Sequence, residues 1–202
     1  MADALHLDPA RTALVLIDLQ HGVLLRDVVP HSAREVLERS VRLASAFRGA
    51  GGAVVLVRVS FAPDGGDVLR QPTDASMAGG VRPPGWDALA PELGSDARDI
   101  RITKHQWGAF YGTALDLKLR RRGVDTIVLA GIATNFGVES TARDAYERGY
   151  ALVLVEDAMG GLTAGAHEFA VTNIFPRLGR VRSTADVLGG WKAAGSSASA
   201  AG

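Results

Sequence analysis

With 202 residues the chain is long enough for one domain with a substantial core and short for two. Lys and Arg total 22, as do Asp and Glu, so the formal net charge is zero and neither nucleic acid nor an anionic membrane has an electrostatic claim on it. No apolar run approaches the roughly 20 residues of a membrane span, and cysteine is absent, which excludes disulfides, thiolate zinc sites and any thiol nucleophile.

The opening, Met1 to His6, has neither a basic nor an apolar leader, and the expectation is a cytoplasmic protein. Residues 13–18 read as a first strand, apolar at nearly every position as a strand covered on both faces should be, and ending in Asp18-Leu19-Gln20. Pro30-His31-Ser32 opens a helix that Gly49, Gly51 and Gly52 stop. That glycine cluster ends a helix and precedes a strand, the reverse of a dinucleotide fingerprint. Ala53 to Val59 forms the second strand.

From Ser60 to about Ala97 no period is sustained, and Pro and Gly punctuate the stretch. Irregular segments of this length inside a domain are usually functional, so a lid or a subunit contact is expected there. Trp86 within it receives no role. Asp99 to Lys104 alternates into a third strand, and Gly112 to Arg122 reads as a helix whose Arg120-Arg121-Arg122 end is a solvated, dipole-compensating terminus. Residues 126–131 form a fourth, buried strand, followed by a turn and a helix over 137–148. Ala151 to Val155 is the fifth strand, Thr163 to Ile174 a helix, and Val181 to Leu188 a final short strand plus turn. One domain over 1–190 is expected, with 191–202, rich in Ala, Ser and Gly, as a disordered tail. Strands alternating with helices argue for a parallel sheet covered on both faces.

Three separated stretches carry chemistry: Asp18 at the end of the first strand; Lys104 before His105-Gln106-Trp107-Gly108-Ala109-Phe110-Tyr111-Gly112-Thr113; and the strand–turn–helix Gly131-Ile132-Ala133-Thr134-Asn135-Phe136-Gly137-Val138-Glu139-Ser140-Thr141-Ala142. Together they resemble the isochorismatase-like hydrolases, also called cysteine hydrolases. The last element of that family usually reads Gly-Ile-x-Thr-x-x-Cys-Val-x-x-Thr-Ala-x-Asp-Ala. Here Gly131, Ile132, Thr134, Val138, Thr141, Ala142, Asp144 and Ala145 match, and Gly137 stands where the cysteine should be. The resemblance implies a three-layer α/β/α fold with a doubly wound, six-stranded parallel sheet of order 3-2-1-4-5-6, which opens a crevice between strands one and four. It implies that Asp18 and Lys104 flank the reacting position at Gly137, and that Ala133 and Gly137 offer backbone N–H groups to an oxyanion. It also implies a cis peptide at Ile132–Ala133.

Gln20, Trp107, Phe110 and Asn135 flank these sites and are candidates for substrate contact; the two aromatics serve equally well as core. The histidines lack metal-binding spacing, and Ser60-Phe61-Ala62-Pro63-Asp64 stands where related nicotinamidases carry their metal-binding pattern, so no metal and no cofactor are expected. The expected partners are a small-molecule substrate and, from family habit and the irregular stretch, further copies of the chain in a homodimer or higher homo-oligomer.

A glycine at the nucleophile position leaves three readings open. One is thiol-free hydrolysis of an enol ether, because true isochorismatases also resemble Ala-His-x-Gly at this turn and protonate a vinyl ether. A second is amide or ester hydrolysis by water that Asp18 activates. The third is a catalytically silent member with a binding role. The sequence differs from isochorismatases in Thr134-Asn135-Phe136 and Val138-Glu139; Gln106 to Thr113 and Thr134 to Arg143 are more similar to a subfamily of bacterial hydrolases.

Overall fold

The computed structural model describes residues 5–75 and 82–191. The expected tail therefore lies outside the described residues, apart from Trp191, whose ring packs edge-on against Phe47 with centroids 4.6 Å apart. Six strands, β1 (Thr12–Ile17), β2 (Ala53–Val59), β3 (Ile100–Lys104), β4 (Thr126–Ile132), β5 (Ala151–Gly160) and β6 (Arg180–Arg182), form one sheet in the order β3-β2-β1-β4-β5-β6. Every neighbouring pair is parallel. This is the doubly wound α/β fold that the sequence implies.

The central strand shows why these residues form this sheet. Along β1, Ala13, Val15 and Ile17 enter the apolar cluster on one face, and Leu14 and Leu16 enter the cluster on the other. Side chains alternate across a strand, so a strand buried on both faces must be apolar throughout. β3 at the sheet edge instead alternates, with Ile100, Ile102 and Lys104 buried and Arg101 and Thr103 exposed. Lys104 thus occupies an inward register position.

Helices fill both faces. A short α1 (His21–Leu24), absent from the sequence expectation, turns the chain directly after β1. α2 (Ala33–Gly49) starts at a capping box in which Ser32 and Glu35 exchange hydrogen bonds, and it buries Val36, Leu43, Ala44 and Phe47. α3 is confined to Leu115–Arg120, shorter than expected, because Gly112 takes φ +67° and Thr113 Oγ1 accepts from Leu115 N, which places both residues ahead of the helix. α4 (Glu139–Glu147) follows a wide π-turn over Thr134–Val138. The expected 163–174 helix is α5 (Ala164–Phe169) leading into a second π-turn and then α6 (Phe175–Leu178). α7 (Thr184–Gly189) replaces the expected turn, its start fixed by a Ser183–Asp186 capping box. β5 runs beyond Val155 because its register with β4 shifts between Leu129 and Gly131, leaving Glu156 and Asp157 inside an irregular strand.

Near their C-terminal ends β1 and β4 leave no room for a side chain between them. Gly131, paired with Ile17, has φ +121°, and a Cβ there would lie 2.2 Å from the Ile17 carbonyl oxygen. Gly131→Ala should lower the unfolding free energy by about 2–4 kcal/mol, since both the backbone angle and the neighbouring main chain oppose the methyl. Gly165→Ala, on open space in α5, should leave it unchanged or raise it by about 0.5–1 kcal/mol. Urea denaturation of the two variants measures both effects.

Candidate active site

Asp18 is the first residue beyond β1 and lies in the left-handed region at φ 53°, a conformation that aspartate tolerates better than most side chains. Its N–H donates to Val57 O at 2.9 Å, which keeps the turn seated on β2. Lys104 closes β3, two strands away, roughly 9.5 Å at the usual strand spacing. Its long stem carries the ammonium across to Asp18. The Lys104 ammonium donates to Asp18 Oδ2 at 2.8 Å and to Gln106 O at 3.0 Å.

Both groups are buried, Lys104 at 1% and Asp18 at 6% exposure. Burial pushes the Asp18 pKa up to about 6, against the lowering effect of the Lys104 charge and hydrogen bond. Asp18 Oδ1 has no partner among the described residues. A buried carboxyl oxygen without a donor is an uncommon arrangement, and it leaves that atom available for a ligand or a water.

Gly137 sits in the π-turn directly opposite. A Cβ added there would lie 3.0 Å from Ile17 Cγ2, 3.3 Å from Asp18 Oδ2 and 3.4 Å from Trp107 O. A side chain at 137 would therefore project at the carboxylate, and glycine keeps that space open. The turn is tied down from two sides. Thr141 Oγ1 donates to Gly137 O at 2.6 Å and accepts from Ala109 N at 3.1 Å. Thr134 Oγ1 and His167 Nδ1 are 2.9 Å apart, with burial, then the His31 charge, lowering the His167 pKa below the usual imidazole range. The Ile132–Ala133 peptide, for which the resemblance implies the cis form, is cis.

A cavity of about 740 Å³ opens over these groups at the C-terminal edge of the sheet. Asp18, Lys104, Trp107, Ala133 and Gly137 line it, so five of the residues singled out in the sequence converge on one space. Gln20, Phe110 and Asn135 do not line it. Gln20 is fully buried and its amide clamps the Val59 main chain, accepting from N at 2.8 Å and donating to O at 3.0 Å, so it extends the β1–β2 pairing past the end of β1. Phe110 packs in the core against Tyr150, with ring centroids 5.8 Å apart. Asn135 is half-buried, with Oδ1 unpartnered among the described residues.

A lid was among the expectations for the irregular stretch, although none of its residues was given a role beforehand. Phe61, Val68, Leu69, Arg82, Pro83 and Trp86 bring the irregular stretch over the cavity, Phe136 joins from the π-turn, and Arg26 joins from the end of α1. Among the described residues no three His, Cys, Asp or Glu side chains are grouped to hold a metal ion, and no helix is long and apolar enough to cross a membrane.

The model of the isochorismatase domain matches residues 12–186. The chain belongs to the isochorismatase family. It is 50% identical over 184 residues to the isochorismatase family protein YecD of Escherichia coli O157:H7, covering 91% of this chain and 98% of that one. An isochorismatase family protein of Burkholderia thailandensis has a solved structure that superposes with a TM-score of 0.89 at 47% identity, covering 93% of this chain and 98% of that one. The ureidoacrylate amidohydrolase RutB of Methylorubrum extorquens is 32% identical over 190 residues, with 75% and 70% of the two chains covered. The family and its structural neighbours are hydrolases, and this chain is an isochorismatase-family hydrolase.

The buried pair makes stability depend on pH. The folded-state pKa of Asp18 lies above its unfolded value, so its contribution is fully favourable below the unfolded pKa and is lost as pH rises through about 6, after which it stays level. Lys104→Met removes the counter-charge and raises that pKa further. Stability of the variant should therefore keep falling above pH 6, where that of the wild type has levelled. Denaturant unfolding from pH 4 to pH 9 measures the difference.

Proposed function

We propose that this chain hydrolyses a small enol ether of the isochorismate type, without a covalent intermediate, using Asp18 as the proton donor. The observation that supports this reading most directly is a buried carboxyl whose pKa is raised to about 6, with one oxygen unpartnered, facing a position where glycine replaces any nucleophile. Vinyl ether cleavage begins when the protonated Asp18 carboxyl transfers its proton to the terminal alkene carbon. The oxocarbenium ion that results takes up water on its cationic carbon. The proton lost from that water returns to the Asp18 carboxylate, and the hemiketal collapses to a ketone and an alcohol. Lys104, at 2.8 Å, offsets the charge that Asp18 carries between the two transfers. The backbone N–H groups of Ala133 and Gly137 would receive the hemiketal oxygen.

A second reading draws on the 32% identity to a ureidoacrylate amidohydrolase. There Asp18 as carboxylate would deprotonate water for attack on an amide carbonyl. The two readings need opposite protonation states of the same group. General-acid cleavage requires the carboxyl, so kcat/KM should fall as pH rises through about 6, whereas general-base cleavage should give a kcat/KM that rises through about 6.

On either substrate class, Asp18→Asn should lower turnover by roughly 10²–10⁴, the usual worth of a positioned acid or base. Gly137→Cys should leave enol ether cleavage no faster and yield no covalent adduct by mass spectrometry. Pyruvate release from isochorismate, run beside a panel of small amides across pH 5–8, supplies the assay. An Asp18→Asn enzyme with wild-type turnover, or an acyl-enzyme trapped on Gly137→Cys with a gain in rate, would sink the proposal.

A further inference from the structure

The charges lining the cavity are unevenly distributed. Asp18 is the sole Asp or Glu among the described lining residues, and Lys104 already pairs with it. Two guanidinium groups, those of Arg26 and Arg82, face the same space. One further acid stands at the wall: Asp67, whose carboxylate lies 3.3 Å from the imidazole of His105 and accepts from Ala62 N. Among the described residues neither Arg26 nor Arg82 has a carboxylate partner, so both guanidinium charges are available to whatever enters the cavity.

Arg82 is held in an unusual way. Phe61 and Trp86 stack nearly parallel, with an interplanar angle of 12° and centroids 6.1 Å apart. The Arg82 guanidinium carbon lies over both rings, 4.5 Å from the Phe61 centroid and 5.2 Å from that of Trp86. A guanidinium resting on aromatic faces keeps its in-plane N–H fork available, and that fork matches a carboxylate in bidentate geometry. Among the described residues no carboxylate takes it. A second aromatic pair, Trp107 and Phe136, meets edge-to-face at 5.0 Å across the turn that carries Gly137. The walls are thus aromatic on both the lid side and the turn side.

We propose that Arg82, seated on Phe61 and Trp86, is the anion anchor of this cavity, and that the substrate is a carboxylate with a flat, unsaturated body lying against the aromatic walls. Arg26 adds to the attractive field without being the anchor. The assignment rests on the cavity being the substrate site and narrows the substrate class beyond the type of bond cleaved. Carboxylate binding at Arg82 does not require that the bond be an enol ether, so it can be tested without turnover.

Isothermal titration calorimetry with benzoate and benzamide, flat probes that differ in charge, makes the test. Benzoate should bind at one site at least 10-fold more tightly than benzamide, a difference in keeping with a charge-assisted, bidentate contact. Arg82→Met should weaken benzoate by roughly 10–100-fold and leave benzamide within about 2-fold, because the methionine keeps the apolar contact and drops the fork. Arg82→Lys, which keeps charge without the planar fork, should fall between. The proposal is overturned if benzoate does not bind, if the two probes bind alike, if Arg82→Met leaves benzoate unaffected, or if Arg26→Met carries the loss instead. A chain that binds benzoate through Arg82 yet fails to cleave an enol ether removes the proposed reaction and leaves the anchor standing.

Discussion

The site depends on a carboxylate and an ammonium brought together out of water. Removing both charges from solvent costs several kcal/mol per ion, and a single hydrogen-bonded contact offsets that only in part. The remainder appears as the raised pKa of Asp18. That residual cost is useful. A carboxyl that titrates near pH 6 can give up and take back a proton, and one oxygen of Asp18 is left without a partner among the described residues to do so. Lys104 tempers the effect without cancelling it, because the pair shares only one of the two carboxyl oxygens.

Around this pair the chain spends its most constrained positions on geometry. Gly131 lets β4 come against the Ile17 main chain, which sets the distance between the Asp18 turn and the π-turn opposite. Gly137 then keeps the intervening space empty. Side chains that look chemical in the sequence are in fact struts: Gln20 continues the β1–β2 pairing where the main chain cannot, and Thr141 fastens the π-turn to Ala109. Phe110 anchors the segment after β3 by burying itself in the core. The reacting groups can be few because their supports are many.

The cavity divides its labour along the chain. Groups that carry protons come from strand ends, where the sheet holds them rigidly. Groups that grip come from the irregular stretch and the π-turn, where aromatic faces can be laid against one another without the demands of a ladder. Arg82 belongs to the second class, positioned by the rings of Phe61 and Trp86.

What was legible in the sequence follows from local rules. Apolar runs on β1, β2, β4 and β5 announced a sheet buried on both faces, and Pro30-His31-Ser32 announced where α2 begins. The alternation over 99–104 announced β3, and Asp18, Lys104 and Gly137 were identified by their motifs, while the inward direction of Lys104 came from the structure. Local rules also misled: Gly112 and Thr113 were assigned to a helix that they precede, and α7 was taken for a turn although its capping box was present. By itself the sequence determined the sheet, the order of its elements and the absence of a thiol. The tertiary structure alone decided which residues share the cavity. Gln20 and Phe110 were excluded by the directions of their side chains, and Phe61, Arg82 and Trp86 were brought in by contacts between segments that show no periodicity. Periodicity reports only which face of an element is buried, while a binding wall is made by residues from different elements, and their meeting depends on the whole chain being packed.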